Sequence, residues 1–198
     1  MKRNKEENLR REAKGFTLIE LLIVIAILAV LSVVVILTLN PAELLKQARD
    51  STRVSDMATY KSAIALYLAD VNSPFIGTST NCYAHVSSSM ANCQVNSRFA
   101  AGATAVVMVS STAVNGSPMG WIPIKFTDIS SGAPVSVEPL DPSNGTTYFY
   151  AYRPSGTTYK ITVDMESTKY KQGGSNDVES TDGGISPSIY EVGTDLSL

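Results

Sequence analysis

The chain has 198 residues, 44% of them apolar and 17% charged, with a net charge of −2. That length suits one anchor and one modest domain. Beyond the first 15 residues the chain is acidic, which does not suggest broad electrostatic binding of nucleic acid and leaves only a local basic patch open. A single histidine, with no P-loop, no G-x-S-x-G and no H-E-x-x-H, leaves little for acid–base catalysis, so the chain does not read as an enzyme.

Residues 1–15 carry six Lys and Arg against three Glu, leaving −5 for the rest of the chain. Such a positive flank before an apolar run holds that end in the cytoplasm. The run itself extends from Phe16 to Leu39, and from Leu21 to Leu37 only Ser32 lies outside the apolar set. As a helix it spans about 36 Å, enough to cross a ~30 Å hydrocarbon core with some tilt. Two features fit a plain anchor poorly. Glu20 places an acid within the span, at a cost of a few kcal/mol unless it finds a partner. Gly15 stands before the apolar run, whereas a secretory signal is cut on the far side of its own. A cut after Gly15 gives Phe16 a new α-amino group, cationic near neutral pH. Glu20, four residues on, faces the same side of a helix and lies near its positive end. Its partner is then a terminal amine, its own or that of a neighbouring copy.

Lys14-Gly15-Phe16-Thr17-Leu18-Ile19-Glu20, followed by an apolar helix, resembles the class III signal of type IV pilins and pseudopilins. The resemblance implies cleavage between Gly15 and Phe16 by a prepilin peptidase/N-methyltransferase and N-methylation of Phe16. It also implies pairing of Glu20 with a neighbour's N-terminus as membrane assembly machinery builds a helical filament from copies of the chain. The implied architecture is α+β, a long N-terminal helix packed on a small C-terminal antiparallel sheet, and no cofactor is implied. The expected divisions are a cytoplasmic leader at 1–15, a transmembrane and assembly helix at 16–39, an amphipathic helix at 40–72, and an extracytoplasmic loop and sheet domain at 73–198. The chain would reside in the lipid bilayer first, single-pass with a cytoplasmic N-terminus, and then in an extracytoplasmic filament at the cell surface. Major pilin, type II secretion pseudopilin, initiating minor subunit and DNA-uptake pilin all fit. The acidic remainder speaks against the last. The rival from another class is an uncleaved, membrane-anchored binding or sensor domain; a secreted enzyme behind a signal peptide is a further one.

Asn40-Pro41-Ala42-Glu43 carries a helix-start signature, with Asn40 as cap, Pro41 at the first helical position and Glu43 completing a capping box. The same proline interrupts a helix arriving from the membrane, so a sharp kink near 37–41 or two helices in series is expected. The second helix runs to about Asp70 and stops at Asn72-Ser73-Pro74. Val54, Met57, Ala58, Ile64, Ala65, Leu68 and Val71 form an apolar stripe, with Lys61 snorkelling at its edge. Lys46, Arg49, Asp50, Arg53 and Asp56 read as a solvated face or, more sharply, as charge pairing between subunits. Residues 74–99 show no period. They hold Cys82 and Cys93, with His85 between them as an ordinary loop residue. In an exported domain two cysteines invite a disulfide worth roughly 2–3 kcal/mol; in a reducing setting they are free thiols.

A strand is expected at Ala105–Val109 and a turn at Asn115-Gly116-Ser117-Pro118. Trp121–Phe126 reads as an edge strand or extended segment because Pro123 cannot donate to a ladder. Thr146–Met165 is the clearest hairpin. Tyr148, Tyr150 and Tyr152 share one face, Arg153-Pro154-Ser155-Gly156 supplies the turn, and Tyr159, Ile161, Val163 and Met165 alternate with polar residues on the return. Ile189–Val192 is a last short strand. Asn176, Asp177 and Asp182 offer oxygen ligands for calcium in a loop without EF-hand spacing, and an acidic turn holding no ion is the favoured reading.

Overall fold

The computed structural model describes residues 15–85, 90–115 and 120–198. They form two compact units, one ending at Pro41 and one spanning Ala42–Leu198. The first holds helix α1, Leu18–Leu39, and the second opens inside helix α2, Pro41–Asp70, one residue past its start. The break falls on Asn40, which adopts the left-handed conformation (φ 40°, ψ 71°). Asparagine tolerates that region better than other non-glycine residues, and Pro41 then starts the next helix with φ already fixed and no N–H to satisfy. Of the two expectations for this stretch, the chain takes two helices in series.

Five strands complete the second unit: β1 Asn81–His85, β2 Ala105–Val109, β3 Ala151–Ser155, β4 Thr158–Val163 and β5 Tyr190–Gly193. Their order in the sheet is β2-β1-β3-β4-β5. The fold is α+β, a long apolar N-terminal helix followed by a second helix and a mostly antiparallel sheet. Only β1 and β2 run parallel, with Asn81 opposite Ala105. That pairing needs a long crossover, and the segment from residue 86 to 104 supplies it. β1 itself has no sequence signal: its five residues, Asn-Cys-Tyr-Ala-His, are too short and too mixed to show alternation.

α2 packs on one face of the sheet. Met57, Tyr60, Ala63, Ile64 and Tyr67 enter a core with Tyr83, Tyr152, Tyr159, Ile161, Val163 and Met165. Of the expected stripe, Met57 and Ile64 are buried and Val54, Leu68 and Val71 are partly buried, but Ala58 and Ala65 are exposed. Tyr60 and Tyr67 take their places because an aromatic ring fills the gap between helix and sheet that alanine leaves open. Lys61 lies on the exposed face. Trp121, Ile122, Ile124 and Phe126 are fully buried without forming a strand. Pro123 explains why: the segment lies over the core as an extended lid and ends in a short 3₁₀ turn at Phe126–Asp128. Tyr60 meets Trp121 edge-on at 5.5 Å between ring centres, and Tyr150 at 6.4 Å.

The hairpin turn is shorter than expected. Pro154 and Ser155 belong to β3, opposite Tyr159 and Thr158, and residues 156–157 make the turn with Gly156 at φ 63°. The alternation of side chains then builds two cores. Tyr150 and Tyr152 enter the helix-side core, while Tyr148 is only half-buried. Phe149 and Ala151 enter a smaller cluster on the other face with Cys82, Ala84, Met90, Cys93, Phe99 and Ala103. On that face Lys160 and Thr162 are buried too. Of the expected turn at 115–118, residues 116–118 lie outside the described residues.

Candidate assembly and processing site

The N-terminal site is built by one cap. Thr17 is extended (φ −78°, ψ 150°), and its Oγ1 accepts a hydrogen bond from Glu20 N at 3.2 Å. Its carbonyl accepts from Leu21 N at 3.2 Å. α1 therefore begins at Leu18, with Gly15 and Phe16 outside it, and a Cβ at residue 15 would meet nothing within 4 Å. The Gly-Phe junction is exposed and lies just ahead of the helix. Residues 1–14, including Lys14 and the leader, lie outside the described residues.

Glu20 sits in the first turn, where the helix dipole favours negative charge. It is the only charged residue between Phe16 and Leu39. The hydroxyls farther along α1 are satisfied within the helix, Ser32 donating to Leu28 O at 2.7 Å and Thr38 to Val34 O at 3.0 Å. No hydrogen bond or ion pair reaches the Glu20 carboxylate among the described residues. The span Leu18–Ile36 has a mean hydropathy of 3.2 with none of it buried, so it is long and apolar enough to cross a membrane. Phe16 is 83% exposed.

The other expected site residues serve the globular unit. Cys82 and Cys93 are joined by a disulfide, Cα to Cα 5.7 Å. It ties the 90–103 loop to β1 over the second face of the sheet. Asn176, Asp177 and Asp182 do not converge on a common centre. Asp177 accepts from Gly173 N and from Ser180 N and Oγ, while Asp182 accepts from Gly184 N and Glu191 N. Asn176 N donates to Lys169 O at 2.9 Å. Both carboxylates hold their own loop closed, and no group of three His, Cys, Asp or Glu gathers among the described residues.

At Asp50 and Arg53 the mixed-charge segment of α2 corrects both sequence readings, being neither solvated nor turned outward, while Lys46, Arg49 and Asp56 stay partly exposed. Arg53 and Asp50 are fully buried. Arg53 Nε and Nη2 grip Asp141 in a fork at 2.7 and 2.8 Å, Nη1 reaches Asp50 at 2.8 Å, and Nη2 reaches Glu166 at 2.6 Å. Arg49 closes on Glu166 from the other side. Asp50 in turn accepts from Glu166 N and Ser167 N. The Arg49 hydrogen bonds, opposed by burial and helped by Arg53 and Ser143, pull the Glu166 carboxyl down to about 2. Nearer the start of α2, Glu43 accepts from Thr168 N and Oγ1. One helix face thus fastens the Pro139–Asn144 loop and the segment after β4. The signal was present in the sequence. Asp50, Arg53, Met57, Tyr60, Ile64 and Tyr67 follow one another at steps of three and four, so the buried stripe continues backward into the charges.

Residues 10–36 match the family model described as the prokaryotic N-terminal methylation motif. No curated protein and no solved structure matches the chain.

Proposed function

From the premise that this chain carries the N-terminal signal of type IV pilins and pseudopilins, we propose that it is a structural subunit of a pilus or pseudopilus filament. It is made as a precursor in the cytoplasmic membrane with its N-terminus in the cytoplasm. A prepilin peptidase cuts after Gly15 and methylates the new amine of Phe16. Membrane machinery then moves α1 out of the lipid bilayer and into a bundle of identical helices. Its divisions are the leader at 1–15, the assembly helix at 16–39, the amphipathic helix at 40–72 and the extracytoplasmic domain at 73–198.

One observation carries this reading. Glu20 is the sole charge on a fully exposed apolar helix, and no described residue of its own chain answers it. In hydrocarbon or in a helix bundle such a carboxylate is costly unless a cation meets it, and a neighbour's Phe16 amine has the right charge at the right end of the helix. Among the described residues, buried carboxylates such as Asp50 and Glu166 find partners within the chain.

Mass spectrometry of the protein from its native cells tests the reading. The expected species begins at methylated Phe16. An intact Met1 on a chain that never polymerises overturns it in favour of an uncleaved, anchored binding or sensor domain. An N-terminus beyond residue 30 points instead to a secreted protein. Glu20→Ala is expected to enter the membrane normally and to give few filaments by electron microscopy; normal filaments would remove Glu20 from assembly.

A further inference from the structure

Glu138 is a carboxyl inside the helix-side core, 1% exposed, that takes no part in the Arg53 cluster. Its Oε2 accepts from Ile122 N at 3.0 Å, and its Oε1 has no hydrogen-bond partner among the described residues. The carboxyl lies flush on Gly120, where a Cβ would collide with it. The next residue joins three elements: the Pro139 carbonyl accepts from Tyr60 Oη on α2 at 2.5 Å and from Trp121 Nε1 at 3.2 Å. Glu138 N itself donates to Thr112 O at 2.8 Å.

The titratable groups facing this carboxyl are Tyr60 on α2 and Tyr152 on β3, both phenols that burial holds un-ionised. The described stretches laid against it, residues 110–115 and 120–124, contain no titratable side chain. A buried acid with one bare oxygen and no cation disfavours its charged form. Burial, opposed by the Ile122 and Trp121 backbone N–H groups, pushes the Glu138 carboxyl up to about 8.

We propose that Glu138 is a pH-sensitive latch: protonated, it lets residues 120–124 close over the core around Trp121, and its ionisation draws in water and frees them. The sign follows from linkage. The folded carboxyl keeps its proton above the point where the unfolded one has lost it. The stability it contributes is therefore full below the ordinary carboxyl range and is lost as pH rises toward about 8. This device stands on the fold of the second unit and does not depend on filament assembly.

Trp121 is the only tryptophan, so the emission of the full chain in detergent micelles reports on this segment. Wild type is expected to show a reversible red shift centred near pH 8, and Glu138→Gln no shift. His85, the single histidine, bonds Ser110 O at 3.2 Å at the far end of the segment. The shift must therefore persist in His85→Gln. Should Glu138→Gln fail to fold, the denaturant midpoint of wild type by circular dichroism decides, and it is expected to fall from pH 6 to pH 9. Emission that stays flat over that range, a midpoint that does not fall, or a shift retained in Glu138→Gln overturns the latch.

Discussion

α1 and α2 follow one another with only Asn40 between them and treat charge in opposite ways. α1 has 22 residues and one charged side chain, which nothing described in the chain answers. α2 has 30 residues and buries Asp50 and Arg53 completely, both of them met by groups far along the sequence as well as by each other. The difference separates two kinds of polar group in apolar surroundings. Where the chain completes the pairing, the charge fixes the fold. Where the described residues leave it open, as at Glu20, the proposed filament is what supplies the partner.

Breaking the closed case should have the largest effect on stability. Arg53→Ala removes the only cation that touches Asp50, Asp141 and Glu166 together. Removing one partner of a buried charge cluster costs about 3–5 kcal/mol, a large part of the 5–15 kcal/mol that holds an ordinary domain folded. Denaturant unfolding followed by far-ultraviolet circular dichroism should show the second unit unfolded or close to it, and a loss below about 1 kcal/mol would place the cluster at the surface instead. Arg53→Lys should recover little, because an ammonium cannot repeat the fork on Asp141.

The second face of the sheet gives the next effect. There the cover is a loop, not a helix, and the Cys82–Cys93 bond supplies what helix packing supplies on the first face. Cys82→Ser with Cys93→Ser should cost roughly 2–3 kcal/mol, read as a lower unfolding midpoint that reducing agent reproduces in the wild type. Arg98, buried over the Phe149 ring at 4.0 Å, and Arg153, bonded to Ala100 O at 2.7 Å, should hold part of the loop in place without the disulfide. Loss of the whole sheet on reduction would show that they do not.

Acid sharpens the comparison further. Glu166 is held down to about 2, chiefly by Arg49, so its contribution to stability is full above the ordinary carboxyl range and is lost as pH falls toward 2. Asp164 and Glu179, raised by burial, act with the opposite sign. The clean observable is a difference between variants. Arg49→Ala should lose less stability than wild type between pH 5 and pH 2, and parallel acid curves would remove Arg49 from that role.

How much of this was legible beforehand varied with the length of the pattern. The apolar run, the Gly-Phe junction and Glu20 are local features, and β2, five residues bounded by loops, was placed to the residue. The hairpin alternation was correct, but its turn shifted because Pro154 sits at a position where β3 can do without an N–H. β1 and its parallel pairing were invisible, since a five-residue strand takes its identity from neighbours and not from its own period. The Arg53 cluster is hidden because a charge on a helix reads as exposed unless the buried stripe is continued through it. A buried arginine depends on Asp141 and Glu166, 88 and 113 positions away, and no local window contains them.

The smallest expected effect on folding is also the sharpest test of the contrast. Glu20→Ala deletes a side chain with no described intrachain partner, so the unfolding free energy of the second unit should change by less than about 0.5 kcal/mol. The only local loss is a favourable charge at the helix N-terminus, a few tenths of a kcal/mol and confined to α1. Were Glu20 answered within the chain, as Asp50 is, the same substitution would cost several times more and would appear in the same melt as Arg53→Ala. The two variants should therefore separate cleanly: one that unfolds the globular unit whether or not copies meet, and one whose globular unit melts like wild type and whose defect appears only when copies must assemble. A Glu20→Ala protein that is measurably destabilised as an isolated chain would mean that α1 closes its charge internally, and the open half of the comparison would fall.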